Sequence, residues 1–151
     1  MDIILPISTE DTLFNKTGTW RTVDVFHRNK IPPCAQKCPF GQDIPKIMEL
    51  LKDGKIKEAY YVAIEKNPLL LVCGHACYGF CESECSRESC DESLAMKSVE
   101  KFLGEQAIEN NWFPDFPEAK DKKVLIVGAG PAGIAMAYFL KKQGICADIF
   151  E

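Results

Sequence analysis

The sequence predicts a mainly α-helical chain that ends in the first βαβ unit of a Rossmann-type nucleotide-binding domain. Three observations carry this prediction. Apolar residues recur with helical spacing between residues 44 and 110. Seven of the eight cysteines fall within residues 34–90. A short apolar run that is followed at once by a glycine-rich turn begins after Lys123.

Two amphipathic helices are predicted to form a hairpin between two groups of cysteines. The first has apolar residues at positions 44, 47, 48 and 51, with Pro45 in its first turn and Gly54 at its end. The second begins at Ile56 and ends at Asn67, because the residue before a proline resists helical geometry. A third helix is predicted over residues 93–110, with apolar residues on its inner side.

The rest of the chain divides into an arm, a strap and a nucleotide-binding unit. Residues 1–33 are polar and irregular, so we expect an extended arm before a helical, cysteine-rich domain of residues 34–122. Residues 111–121 contain two prolines and three aromatic residues, which favours a strap packed on the surface. Residues 123–151 are expected to form a buried strand, a glycine turn, a helix to about Gln143 and a second strand. A complete domain of this type needs more strands, so we expect a fragment of a longer protein.

Composition and charge exclude several classes of protein. Hydrophobic residues make up 46% and charged residues 26%, which is typical of a globular chain with a core. The net charge of -4 predicts neither a nucleic-acid nor a membrane-surface partner. The N-terminus lacks the basic start of a secretory signal, so we expect a cytoplasmic, thiol-reducing location. The uncharged residues 124–140 are broken by glycines and a proline, so no membrane span is predicted.

The spacing of the cysteines points to a metal centre. Cys34 and Cys38 come first, Cys38 is followed by a proline, and four cysteines then follow at intervals of four before Cys90. Gly74 and Gly79 argue against one continuous helix through this series, and a looped backbone would let thiolates converge on a polynuclear centre. A cysteine followed by proline also ends the ligand run of bacterial ferredoxins. Iron–sulfur ligation is therefore the favoured interpretation.

Zinc and disulfide bonds are the alternatives. Structural zinc usually uses paired C-x2-C knuckles, which this sequence lacks, and a reducing compartment disfavours disulfides. Two 4Fe-4S clusters would need more ligands than the seven cysteines of this region provide. Either one cluster forms with spare thiols, or a non-cysteine ligand completes two. Glu100, on the flank of the third helix, is the candidate ligand, and an ordinary surface glutamate fits its position equally well.

The glycine turn predicts a dinucleotide site. Gly128 suits the tight turn, Gly130 the close approach of the pyrophosphate and Gly133 the packing of helix on strand. Glu151 ends the second strand, where an acidic residue would bind the ribose hydroxyls. The preceding strand, the following helix and the terminal acid make this prediction far stronger than the glycines alone.

These motifs together resemble a known family. The motifs are TGTWR at 17–21, PPCAQKCP at 32–39, DIP at 43–45, NPLLLVCGHACYGFCESEC at 67–85, VEKFLGE at 99–105 and VGAGPAG at 127–133. They resemble the N-terminal region of glutamate synthase small-subunit-like oxidoreductases, and they are similar to the N-terminal part of dihydropyrimidine dehydrogenase. The resemblance implies an all-helical, ferredoxin-like domain with 4Fe-4S clusters, then an FAD domain and an NADPH-binding domain. The variant with Pro131 and Ala132 resembles the FAD-binding copy of the turn.

The resemblance also implies a set of metal ligands. One cluster's ligands would be Cys38, Cys77, Cys81 and Glu100, and Cys34 and Cys85 would serve a second cluster. The two-cluster pattern has a C-x2-C just before Cys34, and this chain has no cysteine there. Cys73 and Cys90 are possible substitutes, so the number of clusters, one or two, stays open.

The predicted function is that of an iron–sulfur electron-transfer module in an NAD(P)H-dependent flavoprotein oxidoreductase. Its cluster would relay electrons between FAD and a partner, which the resemblance implies is a large or catalytic subunit. NADPH or NADH would bind in the full-length protein, and the 151 residues alone are not expected to be catalytic. The alternative is a non-catalytic interaction domain that zinc or a cluster stabilises.

Overall fold

The computed structural model describes residues 30–151, and residues 31–151 form one compact unit. The predicted arm, apart from residues 30–33, lies outside the described residues, as does the motif at 17–21. The elements are, in chain order, α1 (Pro33–Lys37), α2 (Ile44–Lys52), α3 (Ile56–Ile64), α4 (Leu70–Ala76), α5 (Met96–Glu109), β1 (Lys123–Val127), α6 (Pro131–Lys142) and β2 (Cys146–Phe150). A short 3-10 turn, Ser86–Ser89, lies between α4 and α5. The predicted fold class, mainly helical with a first βαβ unit, is confirmed.

The predicted hairpin of α2 and α3 is present. Asp43 caps α2 by accepting a hydrogen bond from the Lys46 backbone N–H at 3.1 Å, and Pro45 lies in the first turn of the helix. Gly54, with φ of +73°, makes the turn into α3. Apolar residues of α2, α3, α4 and α5 form one core, which contains Ile47, Ala59, Ala63, Ile64, Leu70 and Leu103.

Helices α1 and α4 are not predicted by the sequence. Both are short, and each ends at a cysteine, Cys38 and Cys77 respectively. Gly74 lies inside α4, where it lets the helix come very close to α5: a Cβ atom on Gly74 would be 2.6 Å from the Lys101 backbone nitrogen. Gly104 does the same from α5, where a Cβ atom would be 2.8 Å from the Leu71 Cβ. These two glycines bring the cysteine-bearing helix against the helix of Glu100.

Replacing Gly74 by alanine is expected to lower the free energy of unfolding by about 1–3 kcal/mol, because the added methyl would collide with backbone that cannot turn aside. In a helix interior, alanine in place of glycine normally raises the free energy of unfolding by about 1 kcal/mol, so the cost of the collision has to exceed this gain. Urea unfolding followed by circular dichroism measures it. Val72→Ala, on the exposed side of the same helix, is the control and should change stability little. A Gly74→Ala protein more stable than the parent would contradict the close contact.

The strap of residues 111–121 has no helix or strand and packs against α3, as expected. The Tyr60 hydroxyl donates to the Trp112 carbonyl at 3.4 Å, and the Tyr61 hydroxyl donates to the Phe113 carbonyl at 3.2 Å. Tyr138 of α6 adds a direct link, since its hydroxyl donates to the Ile64 carbonyl at 3.1 Å. The helical part and the βαβ unit are therefore joined by hydrogen bonds as well as by the chain.

The two strands pair in parallel, with Val124 opposite Ala147 and Ile126 opposite Ile149. The prediction that β1 is a buried strand is wrong: Leu125 is 62% exposed and Val127 86% exposed. One helix can cover only one face of a two-stranded sheet, so apolar side chains on the other face meet water. Among the described residues, no helix has both the length and the apolar character needed to span a bilayer.

Candidate functional site

Five of the predicted metal ligands lie near one another, where α4 ends beside α5. They are Cys38, Cys73, Cys77, Cys81 and Glu100. The pKa of Cys81 is raised to about 11, first by burial and then by the negative charge of Cys38, with smaller effects from Glu82 and Glu100. Burial also raises the pKa of Cys73, whose charged neighbours are Glu100, Cys77 and Cys38. The structure thus brings together residues that lie as many as 62 positions apart in the sequence, from Cys38 to Glu100.

Turns position the thiols of this group. The Cys77 N–H donates to the Cys73 carbonyl at 2.9 Å at the end of α4. Residues 77–85 then form turns rather than a helix, as the looped backbone predicted for the cysteine series requires. The Gly79 N–H donates to the Cys77 sulfur at 3.5 Å, and Gly79 has φ of +74°. Backbone N–H groups directed at sulfur are a feature of iron–sulfur ligand loops, since they tune the thiolate.

The cysteine loop is also attached to its neighbours. The Lys97 backbone N–H, in the first turn of α5, donates to a Glu82 carboxylate oxygen at 2.9 Å. Lys37, at the end of α1, forms an ion pair with Glu84 at 3.3 Å. These contacts hold the segment around Cys81 between α1 and α5.

Glu100 is not an ordinary surface glutamate. It is only 8% exposed, and its carboxylate accepts hydrogen bonds from the Gln42 and Asn67 side-chain amides. Burial is the main influence on its pKa, which is raised, and the two hydrogen bonds partly offset that rise. A buried carboxylate among thiols is an unusual arrangement that requires a structural or chemical partner.

Cys34 and Cys85 lie near each other, and Cys38 of the first group is also close to Cys34. Burial raises the pKa of Cys34, and the negative charges of Cys85 and Cys38 add to that rise. The Cys85 sulfur accepts a hydrogen bond from the Leu94 backbone N–H at 3.4 Å. Cys90 is exposed and lies at the end of the 3-10 turn. Arg87 and Asp91, which flank it in the sequence, form an ion pair at 2.6 Å.

The donor set suits a cluster of soft metal ions. Thiolates favour iron in clusters, and a single carboxylate can replace one of them as a harder ligand. Among residues 30–151, no three His, Cys, Asp or Glu side chains are already arranged around a position for one metal ion. The chemistry of the donors, the N–H groups directed at sulfur and the buried carboxylate are the features that fit a cluster.

Sequence reasoning missed two residues of this site, Gln42 and Asn67. Both are almost fully buried, at 2% and 0% exposure, and both bind Glu100. Asn67 appeared in the sequence only as a helix end before Pro68. Gln42 follows the Cys38-Pro39 turn, and a polar residue just after a ligand motif was the one available signal.

The glycine turn has the geometry that a dinucleotide site requires. Gly128 has φ of +104° and donates its N–H to the Phe150 carbonyl at 2.6 Å. A Cβ atom on Gly133 would lie 2.0 Å from the Gly128 carbonyl oxygen, whereas one on Gly130 would meet nothing within 4 Å in the described part of the chain. Glu151 accepts a hydrogen bond from the Ala129 N–H. Pro131 and Ala132 begin α6, whose N-terminus faces the turn.

Comparison with known proteins assigns the helical part of the chain to a family. Residues 27–112, more than half of the chain, match the family model described as dihydropyrimidine dehydrogenase domain II, 4Fe-4S cluster. The chain belongs to this family. Residues 126–151 match the model of the NAD(P)-binding Rossmann-like domain.

Three curated relatives are similar over most of the chain. The β subunit of the NADPH-Fe(3+) oxidoreductase of Geobacter sulfurreducens is 34% identical over 146 residues, which are 94% of this chain and 22% of the relative. The small chain of the Escherichia coli glutamate synthase [NADPH] is 36% identical over 124 residues, 80% of this chain and 26% of the relative. The β subunit of the NADP(+)-dependent formate dehydrogenase of Moorella thermoacetica is 30% identical over 142 residues. The match covers 79% of this chain and 20% of the relative.

These findings confirm the resemblance that the motifs predicted, together with an iron–sulfur domain ahead of the start of a nucleotide-binding domain. A 4Fe-4S domain agrees with the predicted role in electron transfer, and the relatives named above are oxidoreductases. The chain spans about a quarter or less of the length of the curated relatives named above.

Proposed function

We propose that the chain holds one 4Fe-4S cluster and passes electrons between a flavin and a partner protein in an NAD(P)H-dependent oxidoreductase. The observation that carries the proposal is the buried Glu100 carboxylate, which lies among thiols in a domain of the matched family. The cluster, when bound, supplies one-electron steps between a two-electron flavin and a one-electron acceptor.

The proposed ligands are Cys38, Cys77, Cys81 and Glu100. Cys73 belongs to the same neighbourhood, but its thiol donates to the Asn67 side-chain carbonyl at 3.6 Å, so we assign it a supporting place. Cys34 and Cys85 would provide only two ligands of a second cluster, and no cysteine precedes Cys34 in this sequence. Cys90 is exposed on its turn. This distribution supports one cluster rather than two.

The proposed flavin is FAD, bound at the glycine turn. Gly130 leaves open space in which the pyrophosphate can approach the backbone, and the N-terminus of α6 at Pro131 favours its negative charge. Glu151, beside the turn, is placed to accept hydrogen bonds from the ribose hydroxyls. NADPH or NADH would bind in a further domain, where it would deliver hydride to the flavin.

The proposed setting is a larger cytoplasmic assembly. The relatives include β subunits and a small chain, which supports a larger partner subunit that donates or accepts electrons. The exposed apolar side chains of β1 and β2 support a nucleotide-binding domain that extends beyond residues 123–151. We therefore propose that the chain by itself is not catalytic, because a single βαβ unit lacks the crevice that would enclose a flavin ring.

Metal analysis of protein purified without oxygen tests this function. We expect a brown protein with about four irons and about four inorganic sulfides per chain, as one 4Fe-4S cluster requires. Reduction should bleach the colour and produce an EPR signal. A colourless protein that contains only zinc would contradict the electron-transfer function and would favour an interaction domain stabilised by zinc.

A further inference from the structure

Two buried amides hold the carboxylate of Glu100 by one of its two oxygens. The Gln42 Nε2 donates to the Glu100 Oε1 at 2.5 Å, and the Asn67 Nδ2 donates to the same Oε1 at 3.3 Å. The other oxygen, Oε2, accepts none of the hydrogen bonds formed within the described part of the chain. The two ends of the carboxylate are therefore different: one is occupied and the other is available.

The orientation of Asn67 is fixed from its other side. Its Oδ1 accepts a hydrogen bond from the Leu69 backbone N–H at 3.1 Å and another from the Cys73 thiol at 3.6 Å. With its carbonyl engaged by α4, the side chain can direct only its NH₂ group towards Glu100. Asn67 thus connects the start of α4 to the carboxylate on α5.

The hydrogen bond to the same carboxylate explains why the polar side chain of Gln42 is buried. Its side chain is 2% exposed, and its own Oε1 has no hydrogen-bond partner among the described residues. A buried carbonyl without a partner is costly, so the contact to a charged acceptor is what holds this side chain inside. A structural role alone would be met as well by an apolar residue of the same size.

We propose that Gln42 and Asn67 are positioning residues that make Glu100 a one-oxygen ligand of the cluster, with Oε2 directed at iron. Their role rests on the proposed function, since it requires a cluster with Glu100 among its ligands. Hydrogen bonds to Oε1 draw electron density from the carboxylate and keep it from chelating one iron with both oxygens. The amides thereby set both the geometry and the donor strength of the weakest ligand.

Removing the Gln42 donor should change the cluster without removing it. The variant Gln42→Met keeps the length and burial of the side chain but has no N–H, so Glu100 becomes a stronger donor that only the longer hydrogen bond from Asn67, at 3.3 Å, still orients. We expect a reduction potential shifted in the negative direction, an altered EPR signal of the reduced protein, and loss of iron to a chelator that is about tenfold faster or more. The iron content before the challenge should equal that of the parent.

Three further variants make the test specific. Gln106→Met places the same substitution on α5, where the side-chain amide donates to the Glu109 carboxylate at 2.8 Å on the surface, and should leave potential and signal unchanged. Gln42→Asn, which is polar and too short to reach Glu100, should give the same shifts as Gln42→Met and serves if that protein does not fold. Glu100→Ala reports whether Glu100 is a ligand at all.

The outcomes separate the two proposals. A parent protein without iron and sulfide overturns the proposed function, and the role of the amides with it. A parent with a cluster whose EPR signal is unchanged in Glu100→Ala overturns the positioning role and leaves electron transfer intact. A changed signal in Glu100→Ala, with potential and signal unchanged in both Gln42 variants, overturns the positioning role alone. Shifts in both Gln42 variants but not in Gln106→Met support it.

Discussion

Cys81→Ala is expected to remove nearly all iron from the protein, from about four irons per chain to less than one. Cys81 supplies one of three proposed thiolates, and the neighbouring thiol of Cys73 donates a hydrogen bond to the Asn67 side-chain carbonyl at 3.6 Å. Its pKa of about 11, which burial raises first, keeps the iron-free thiol protonated at neutral pH. Iron and sulfide analysis of protein purified without oxygen, with its absorption spectrum, measures the effect.

The controls for this variant are other cysteines of the same chain. Cys146→Ala changes an exposed thiol on β2 and should keep the full iron content. Cys34→Ala and Cys85→Ala should also retain about four irons, because these residues lie outside the proposed ligand set. Equal loss of iron from Cys34→Ala and Cys81→Ala would show that the ligand set is wrong. Half loss from each would indicate two clusters.

Gly133→Ala is expected to open the glycine turn. A methyl group at this position would lie 2.0 Å from the Gly128 carbonyl oxygen and 3.2 Å from its carbon, and only movement of the backbone can relieve that overlap. Such overpacking costs about 1–3 kcal/mol, which corresponds to amide exchange roughly ten to a hundred times faster at Gly128 and Ala129. Hydrogen exchange followed by NMR or mass spectrometry measures it.

Gly130→Ala is the matched control for the turn. A Cβ atom on Gly130 meets nothing within 4 Å in the part of the chain that the structure describes, and its φ of -66° suits any residue. Exchange at Gly128 and Ala129 should therefore stay at the parental rate, although the methyl would occupy the space needed by a pyrophosphate. Equal exchange in the two variants would contradict the packing role of Gly133.

The longer elements could be predicted because their signals are local. Helices α2, α3, α5 and α6 and both strands carry apolar periodicity, caps or glycine stops within their own residues. Helix α4 could not be predicted, because Gly74 reads as a helix breaker unless the backbone of Lys101 is known to lie against it. The exposure of β1 was not predicted, because the sequence of an apolar strand does not show which other elements pack against its two faces.

The candidate site shows the same limit. The spacing of Cys38, Cys77 and Cys81 was visible in the sequence, but the burial of Glu100 depends on contacts made over long separations. Gln42 reaches Glu100 from 58 residues away and Asn67 from 33. A polar residue after a turn and an asparagine before a proline have ordinary local explanations, so only the fold reveals that both serve one carboxylate.

The hydrogen bond from Tyr138 to the Ile64 carbonyl bears on how fast electrons can move. Tunnelling rates fall exponentially with the gap between donor and acceptor, so small fluctuations in that gap produce large fluctuations in rate. Tyr138 lies on α6, which begins at the nucleotide turn, and Ile64 ends α3, which contributes to the core of the helical part. A tether between these two helices limits the spread of separations, so electron transfer between the proposed flavin and the proposed cluster would vary less in rate than it would without the tether.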